Sequence, residues 1–299
     1  MKNLPLPTLA CVFIASWASA ANPPSPLPLH GSLLDSDPQG GSDGSNSGIN
    51  MSATTNWAGA TIDMPHGNES NTPAIGSVKS QWNIPRLCLG EGQNTSSART
   101  LQTWIGISGK LCEPEGALVQ AGVEAILQDD GNTSASAWAS WYPAIPRMDI
   151  VDFEVEPGDV VTVEVLLENT TNGVVSMSNK RTNKLVAQDI FSPDPSVGDF
   201  SVCGDGDGRA WAVVEGAFTW EDAPPDTVTG VDGIPVFEDV SFRTLEVNAL
   251  GRIEARDLHD DSAMLYVIAD DQGLVVNVDT LGDQGFQLYM SESCGSSPE

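Results

Sequence analysis

The residues that could carry chemistry are few, and one of them is an acid in an apolar setting. The stretch WAVVEGAFTW, residues 211–220, has the aromatic and β-branched content of a strand, because such side chains suit a half-buried pleated surface. Alternation places Glu215 on one face with Trp211 and Val213. Two other stretches offer polar groups on strand faces. In ALVQAGVEAIL (117–127) the alternating set is Leu118, Gln120, Gly122, Glu124 and Ile126. Gly122, which has no side chain, is expected to leave open space beside Gln120 and Glu124. In AWASWYPA (137–144), Trp138, Ser140 and Tyr142 share a face. Taken singly each is ordinary, since a glutamine in a strand usually faces water.

Paired carboxylates point to a different chemistry. DFEVEPGD (152–159) carries Asp152, Glu154 and Glu156 at alternate positions on one face of a strand, and glycoside hydrolysis uses two carboxyl groups. Pro157 and Gly158 end that strand at once, so a solvent-facing edge is the favoured reading. Other catalytic patterns are missing from the sequence. The histidines are His30, His66 and His259, none in a serine or cysteine nucleophile motif, and there is no H-E-x-x-H. Aspartic peptidase D-[TS]-G triplets are also missing. CGDGDGR (203–209) has the acids of a calcium loop without its twelve-residue ligand pattern. No metal or other cofactor is therefore expected.

These residues must be positioned by strands, because short strand-like runs separated by turn signals fill most of the chain. They include SVKSQWNIP (77–85), RTLQTWIGI (99–107), DVVTVEVLLE (159–168) and VSFRTLEVNAL (240–250), and amphipathic helices are nearly absent. About 240 residues of this kind make one large antiparallel β-sandwich or barrel. Ahead of it, residues 1–20 read as a signal peptide with Lys2, an apolar run and the exit Ala18-Ser19-Ala20. Residues 21–55, rich in Pro, Gly, Ser and Asp and without Lys or Arg, read as a linker or short propeptide. The domain is placed at 56–295. The chain is strongly acidic, with 41 Asp and Glu against 13 Lys and Arg. That charge disfavours nucleic acid and anionic membrane as partners, and it fits work at low pH or adaptation to salt. One of the five cysteines lies in the leader. The other four, Cys88, Cys112, Cys203 and Cys294, have no C-x-x-C spacing, and an even number in an exported chain favours disulfides with three possible pairings. A secreted monomer, extracellular or periplasmic, is expected.

The ordered set of motifs resembles the glutamic peptidases, the eqolisin family of acid endopeptidases. The resemblance runs through NWAGA (56–60), QWNIP (81–85), WIGISG (104–109), VQAG (119–122), AWASWYP (137–143), PGDVVTVEV (157–165), AWAVVEGAF (210–218) and VSFRTLEV (240–247). It implies a concanavalin-A-like sandwich of two large antiparallel sheets and a catalytic dyad, falling on Gln120 and Glu215. In that reading Glu215 takes a proton from water and returns it to the departing nitrogen. Gln120 orients the water and stabilises the oxyanion with an N–H that is uncharged at every pH. The substrates would be proteins or peptides, with Trp138, Trp57, Glu124, Ser140 and Tyr142 in the groove. The reference carboxyl value near 4.3 places activity below about pH 5. The resemblance also implies a Cys112–Cys203 disulfide, which leaves Cys88 and Cys294 to pair. The chain departs from the family pattern at Ser108 and Ser140, where acids are common, at Glu124, where Asp is usual, and at Ala212, where an aromatic is usual. A carbohydrate-binding module or a glycosidase on the same sandwich is the alternative.

Overall fold

The computed structural model describes residues 50–54, 57–65, 73–90, 100–109, 117–142, 144–192, 202, 208–216, 234–249, 255, 256, 258, 262–270, 273–290 and 294. Among them there are strands and turns but no helix. The strands are β1 (Asn50–Thr54), β2 (Trp57–Met64), β3 (Ile75–Asn83), β4 (Leu87–Cys88), β5 (Thr100–Gly109), β6 (Leu118–Leu127) and β7 (Thr133–Tyr142). There follow β8 (Ile145–Asp149), β9 (Val160–Leu167), β10 (Asn172–Asn179), β11 (Lys184–Phe191), β12 (Gly208–Gly216) and β13 (Val236–Phe237). The last are β14 (Val240–Phe242), β15 (Thr244–Ala249), β16 (Ala255–Arg256), β17 (Ala263–Asp270), β18 (Gly273–Thr280) and β19 (Phe286–Met290).

Two sheets face each other. The larger has the order β14-β19-β18-β17-β2-β12-β5-β6-β7-β8, and the smaller β11-β10-β9-β3-β15-β16. Strands of the smaller sheet alternate between buried and partly exposed residues, as β10 does throughout NGVVSMSN. That is the pattern of a sheet with one face on a core and one in water. Strand β2 differs, being buried at seven of its eight positions. One of its faces packs on the core, and the other lies in an aromatic cluster. The core between the sheets holds Trp82, Ile105, Val163, Val214, Phe242 and Phe286, each fully buried. Trp82 Nε1 donates to Thr103 Oγ1 at 2.9 Å, linking the sheets through the core. Asp159, at the start of β9, accepts from Asn179, Arg181 and the backbone N–H of Glu156. Burial pushes its carboxyl up, but these donors and the Arg181 charge outweigh burial and hold it below the usual range.

Two expectations about strands change here, and a third about a glycine. Strand β1 lies inside the segment 21–55 read as linker, and it pairs in parallel with β17 through backbone hydrogen bonds that composition does not reveal. Residues 151–158 form two turns joined by irregular backbone rather than a strand. Phe153 and Val155 point inward while Asp152, Glu154 and Glu156 are exposed, so the acids alternate without being paired into either sheet. Cys88 and Cys294 are disulfide-bonded, with Cα atoms 5.7 Å apart. Cys112 and Cys203, and all three histidines, lie outside the described residues.

The third change concerns Gly122. It does not open a space, because β5 fills it: a Cβ there would lie 2.2 Å from the Thr103 carbonyl oxygen and 2.6 Å from Trp104 Cβ. The glycine is needed for close strand approach, not for room in a groove. Gly122→Ala is expected to lower stability by about 1–3 kcal/mol through overpacking. In a chain of this size that is a fall of roughly 2–12 °C in Tm, to be measured by calorimetry against wild type.

Candidate active site

Antiparallel register decides which side chains meet. Directly opposed residues share a face with Cβ atoms about 5 Å apart, so the pairings of β2, β12, β5, β6 and β7 define rungs across the face of the larger sheet that points away from the core. One rung runs Trp57, Glu215, Gln102, Glu124, Ser136. The next runs Gly59, Val213, Trp104, Gly122, Trp138. A third runs Thr61, Trp211, Gly106, Gln120, Ser140. Tyr266 of β17 lies opposite Gly59. The floor is an aromatic cluster of Trp57, Trp104, Trp138 and Tyr266 packed with Val213. Trp57 meets Tyr266 at 4.4 Å and Trp211 at 5.5 Å between ring centroids.

Glu215 sits at the edge of this floor. Trp104 Nε1 donates to its Oε2 at 3.0 Å. Burial pushes the carboxyl up to about 7, while the Trp104 N–H favours the ionised form and works against that rise. The sequence reading used the reference carboxyl value, which would leave Glu215 fully ionised at neutral pH. The apolar floor gives a group that is half protonated there. When the carboxyl is neutral and its carbonyl oxygen, Oε2, accepts from Trp104, the proton is on Oε1.

Gln120 is on the same face, two strands and two rungs from Glu215, with Trp104 on the diagonal between them. Gly106 stands between Gln120 and Trp211, and β6 approaches it closely: a Cβ there would lie 2.9 Å from the Val119 carbonyl oxygen and 3.0 Å from Gln120 Cβ. The remaining expected groove residues share the face, but several are already engaged. Trp138 is buried, and its Nε1 lacks a partner among the described residues. Ser140 is buried and donates to the Ile145 carbonyl. Glu124 pairs with Arg147 and accepts from Gln102 Nε2 at 3.2 Å. Tyr142 is opposite Leu118, three rungs from Glu215. Trp57 is opposite Glu215 on β2. At Ser108, the Trp211 indole N–H is the donor, at 2.8 Å.

Sequence reasoning missed three participants. Trp104 was in view within WIGISG, but its bond to Glu215 depends on the register of β5 with β12. Gln102 shares the face of Trp104 by alternation, a signal available in RTLQTWIGI. Arg147, which bonds Glu124, Asp149 and Ser136 and lies 5.9 Å over the Trp138 ring, had no sequence signal.

The sequence signature of the Peptidase A4 family matches residues 55–288. The chain belongs to the peptidase A4 family. Aspergillopepsin-2 of Aspergillus niger is 26% identical over 155 residues, covering 47% of this chain and 51% of that protein. The match thus spans about half the length of that relative. Scytalido-glutamic peptidase bound to a peptide-based transition-state analog aligns with a TM-score of 0.57 and 19% identity, over 79% of this chain and 98% of its own. Aspergilloglutamic peptidase of Aspergillus niger aligns with a TM-score of 0.50 and 24% identity, over 64% and 99%. These likenesses establish the fold, the β-sandwich expected of the family.

The raised Glu215 carboxyl makes a stability prediction for this A4 peptidase domain. A group whose folded pKa exceeds its unfolded value of 4.5 stabilises fully below that value and loses the contribution as pH rises through about 7. The loss is on the order of 3 kcal/mol. Asp159 acts oppositely, because its pKa is lowered, so its contribution is lost as pH falls below the carboxylate range. Unfolding free energy from denaturant titrations should therefore be highest near pH 4–5. Glu215→Gln should flatten the decline between pH 5 and 8 and leave the acid limb unchanged.

Proposed function

We propose that the protein is an exported acid endopeptidase in which Glu215 moves the proton and Gln120 supplies the oxyanion donor. The observation that carries this reading is a carboxyl raised by an apolar aromatic floor and oriented by Trp104, on one face with an amide group. Water adds to the acyl carbon of a bound peptide as the C–N bond breaks. One water hydrogen ends on the departing nitrogen, and the hydroxyl stays on the acid product. A neutral Glu215 can give its Oε1 proton and take one from the attacking water, so the enzyme ends as it began. Gln120 Nε2 would meet the developing oxyanion, where a fixed neutral donor avoids reorganisation as charge forms. The high carboxyl value favours starting in the protonated form rather than as a base.

Membership of the A4 family supports peptide substrates. So does the peptide-based analog held by a neighbour of the same fold. Export fits the N-terminal leader and the Cys88–Cys294 disulfide, since such bonds persist in oxidising compartments. No described helix is long and apolar enough to cross a membrane. The glycosidase reading loses its acids to the exposed turn at 151–158.

Two measurements test the proposal on an internally quenched peptide. Glu215→Gln and Gln120→Ala should each lower kcat by at least ~10²-fold, while Glu154→Gln, changed in an exposed turn, keeps wild-type rates. The wild-type kcat/KM should hold below about pH 7 and fall about tenfold per unit above it, because the ionised carboxyl cannot donate. Wild-type rates in Glu215→Gln would end the assignment, and a rate that rises through pH 7 would make Glu215 a base from the outset.

A further inference from the structure

Gln102 stands directly across β5–β12 from Glu215 and is not part of the proposed dyad. Its amide is oriented from the other side. Nε2 donates to Glu124 Oε1 at 3.2 Å, and Arg147 occupies Glu124 Oε2. Arg147 is itself fixed by Asp149 at 3.0 Å and by Ser136 Oγ at 2.9 Å. Because a carboxylate can only accept and only the NH2 end of an amide can donate, this row dictates which end of Gln102 faces β6. The oxygen is left toward the side where Glu215 projects, within reach of a side chain from a directly opposed position.

We propose that Gln102 is a positioning residue whose carbonyl oxygen accepts the Oε1 hydroxyl of neutral Glu215, held in that orientation by the Glu124–Arg147 pair. The two ends of the carboxyl are then both defined: Trp104 donates to Oε2, and the Oε1 hydroxyl, which keeps its proton, donates a hydrogen bond to Gln102. An acceptor favours the protonated form, so the row helps to set the pH range over which Glu215 keeps its proton. The proposal rests on Glu215 being the titrating group of the site.

The groups around Glu215 are accounted for on each packed strand. On β5 they are Trp104 and Gln102, and on β2 Trp57. Glu124 of β6 and Asp149 of β8 face it through Gln102 and Arg147. Tyr266 of β17 packs behind Trp57. Arg209, at the far end of β12, is paired with Asp63 at 2.6 Å. Among the described residues, then, Gln102 is the neutral acceptor opposite the carboxyl.

The test uses the pH dependence of unfolding free energy, taken as wild type minus Glu215→Gln, which reads the carboxyl without requiring catalysis. Gln102→Met preserves length and burial but removes the acceptor. The midpoint should fall by about one pH unit, the size of one hydrogen bond to one protonation state. A role in burial alone predicts an unchanged or higher midpoint, and either result overturns the proposal. Glu124→Gln removes the group that fixes the amide and should also lower the midpoint. That effect should largely vanish in the Gln102→Met background, since the two act through one contact. A Glu124→Gln effect that persists in full there overturns the coupling. Loss of peptidase activity in wild type would sink the functional proposal, yet these midpoints would still decide the role of Gln102. If activity is present, the fall of kcat/KM above pH 7 should move with the midpoint in each variant.

Discussion

Everything at this site depends on the register of β12 against β5. A strand side chain alternates faces with period two, so a shift of one residue would turn Glu215 into the core and Val214 out of it. The register is fixed on both flanks. Inward, Ala212 and Val214 are fully buried between the sheets. Outward, Trp211 bonds Ser108, and Arg209 at the far end holds Asp63 bidentately. Burying a carboxyl on an apolar face is costly unless it is neutral or hydrogen-bonded. The strand carries that cost because many other side chains hold it in place.

The same constraint explains why the outer face of the larger sheet is unusual. Antiparallel sheets commonly leave one face in water, as the smaller sheet does with Thr162, Glu164 and Ser176 on its outer side. The larger sheet instead stacks Trp57, Trp104, Trp138 and Tyr266 on its outer side, each buried. Aromatic rings supply much apolar area, and Trp and Tyr also carry a polar atom that can reach a partner. That combination lowers the local polarity around Glu215 while leaving it one directed donor. A low-polarity environment and a fixed hydrogen bond therefore come from the same residues.

Much of the fold could be read in the sequence because each strand carries its own period, and β3, β5, β6 and β9 fall within two residues of the runs that signal them. One corner was written there but read as a single strand. In VSFRTLEVNAL the apolar positions are Val240 and Phe242, then Leu245, Val247 and Ala249, so the alternation slips from even to odd numbers. The slip marks the change from β14 in the larger sheet to β15 in the smaller, with Arg243 N–H donating to the Gln81 carbonyl at the bend. At the site, the faces of Glu215, Gln120 and Trp138 followed from alternation. The rung that joins Glu215 to Gln102 did not, because pairing between strands more than a hundred residues apart leaves no local signal. Gly122 was misread for a related reason: a missing Cβ signals either open space or a close backbone, and only the partner strand decides which.

The Cys88–Cys294 bond has a consequence for what a cut in the backbone can do. It closes a covalent ring across 206 positions, which takes in every strand from β5 to β19. A single backbone cut anywhere inside that ring opens it without dividing it. The two pieces stay tethered, and pieces that remain at high effective concentration re-form their pairing far more readily than separate fragments. A nicked molecule is thus still one molecule, and both halves of the sheet that carries Gln120 and Glu215 remain attached to each other.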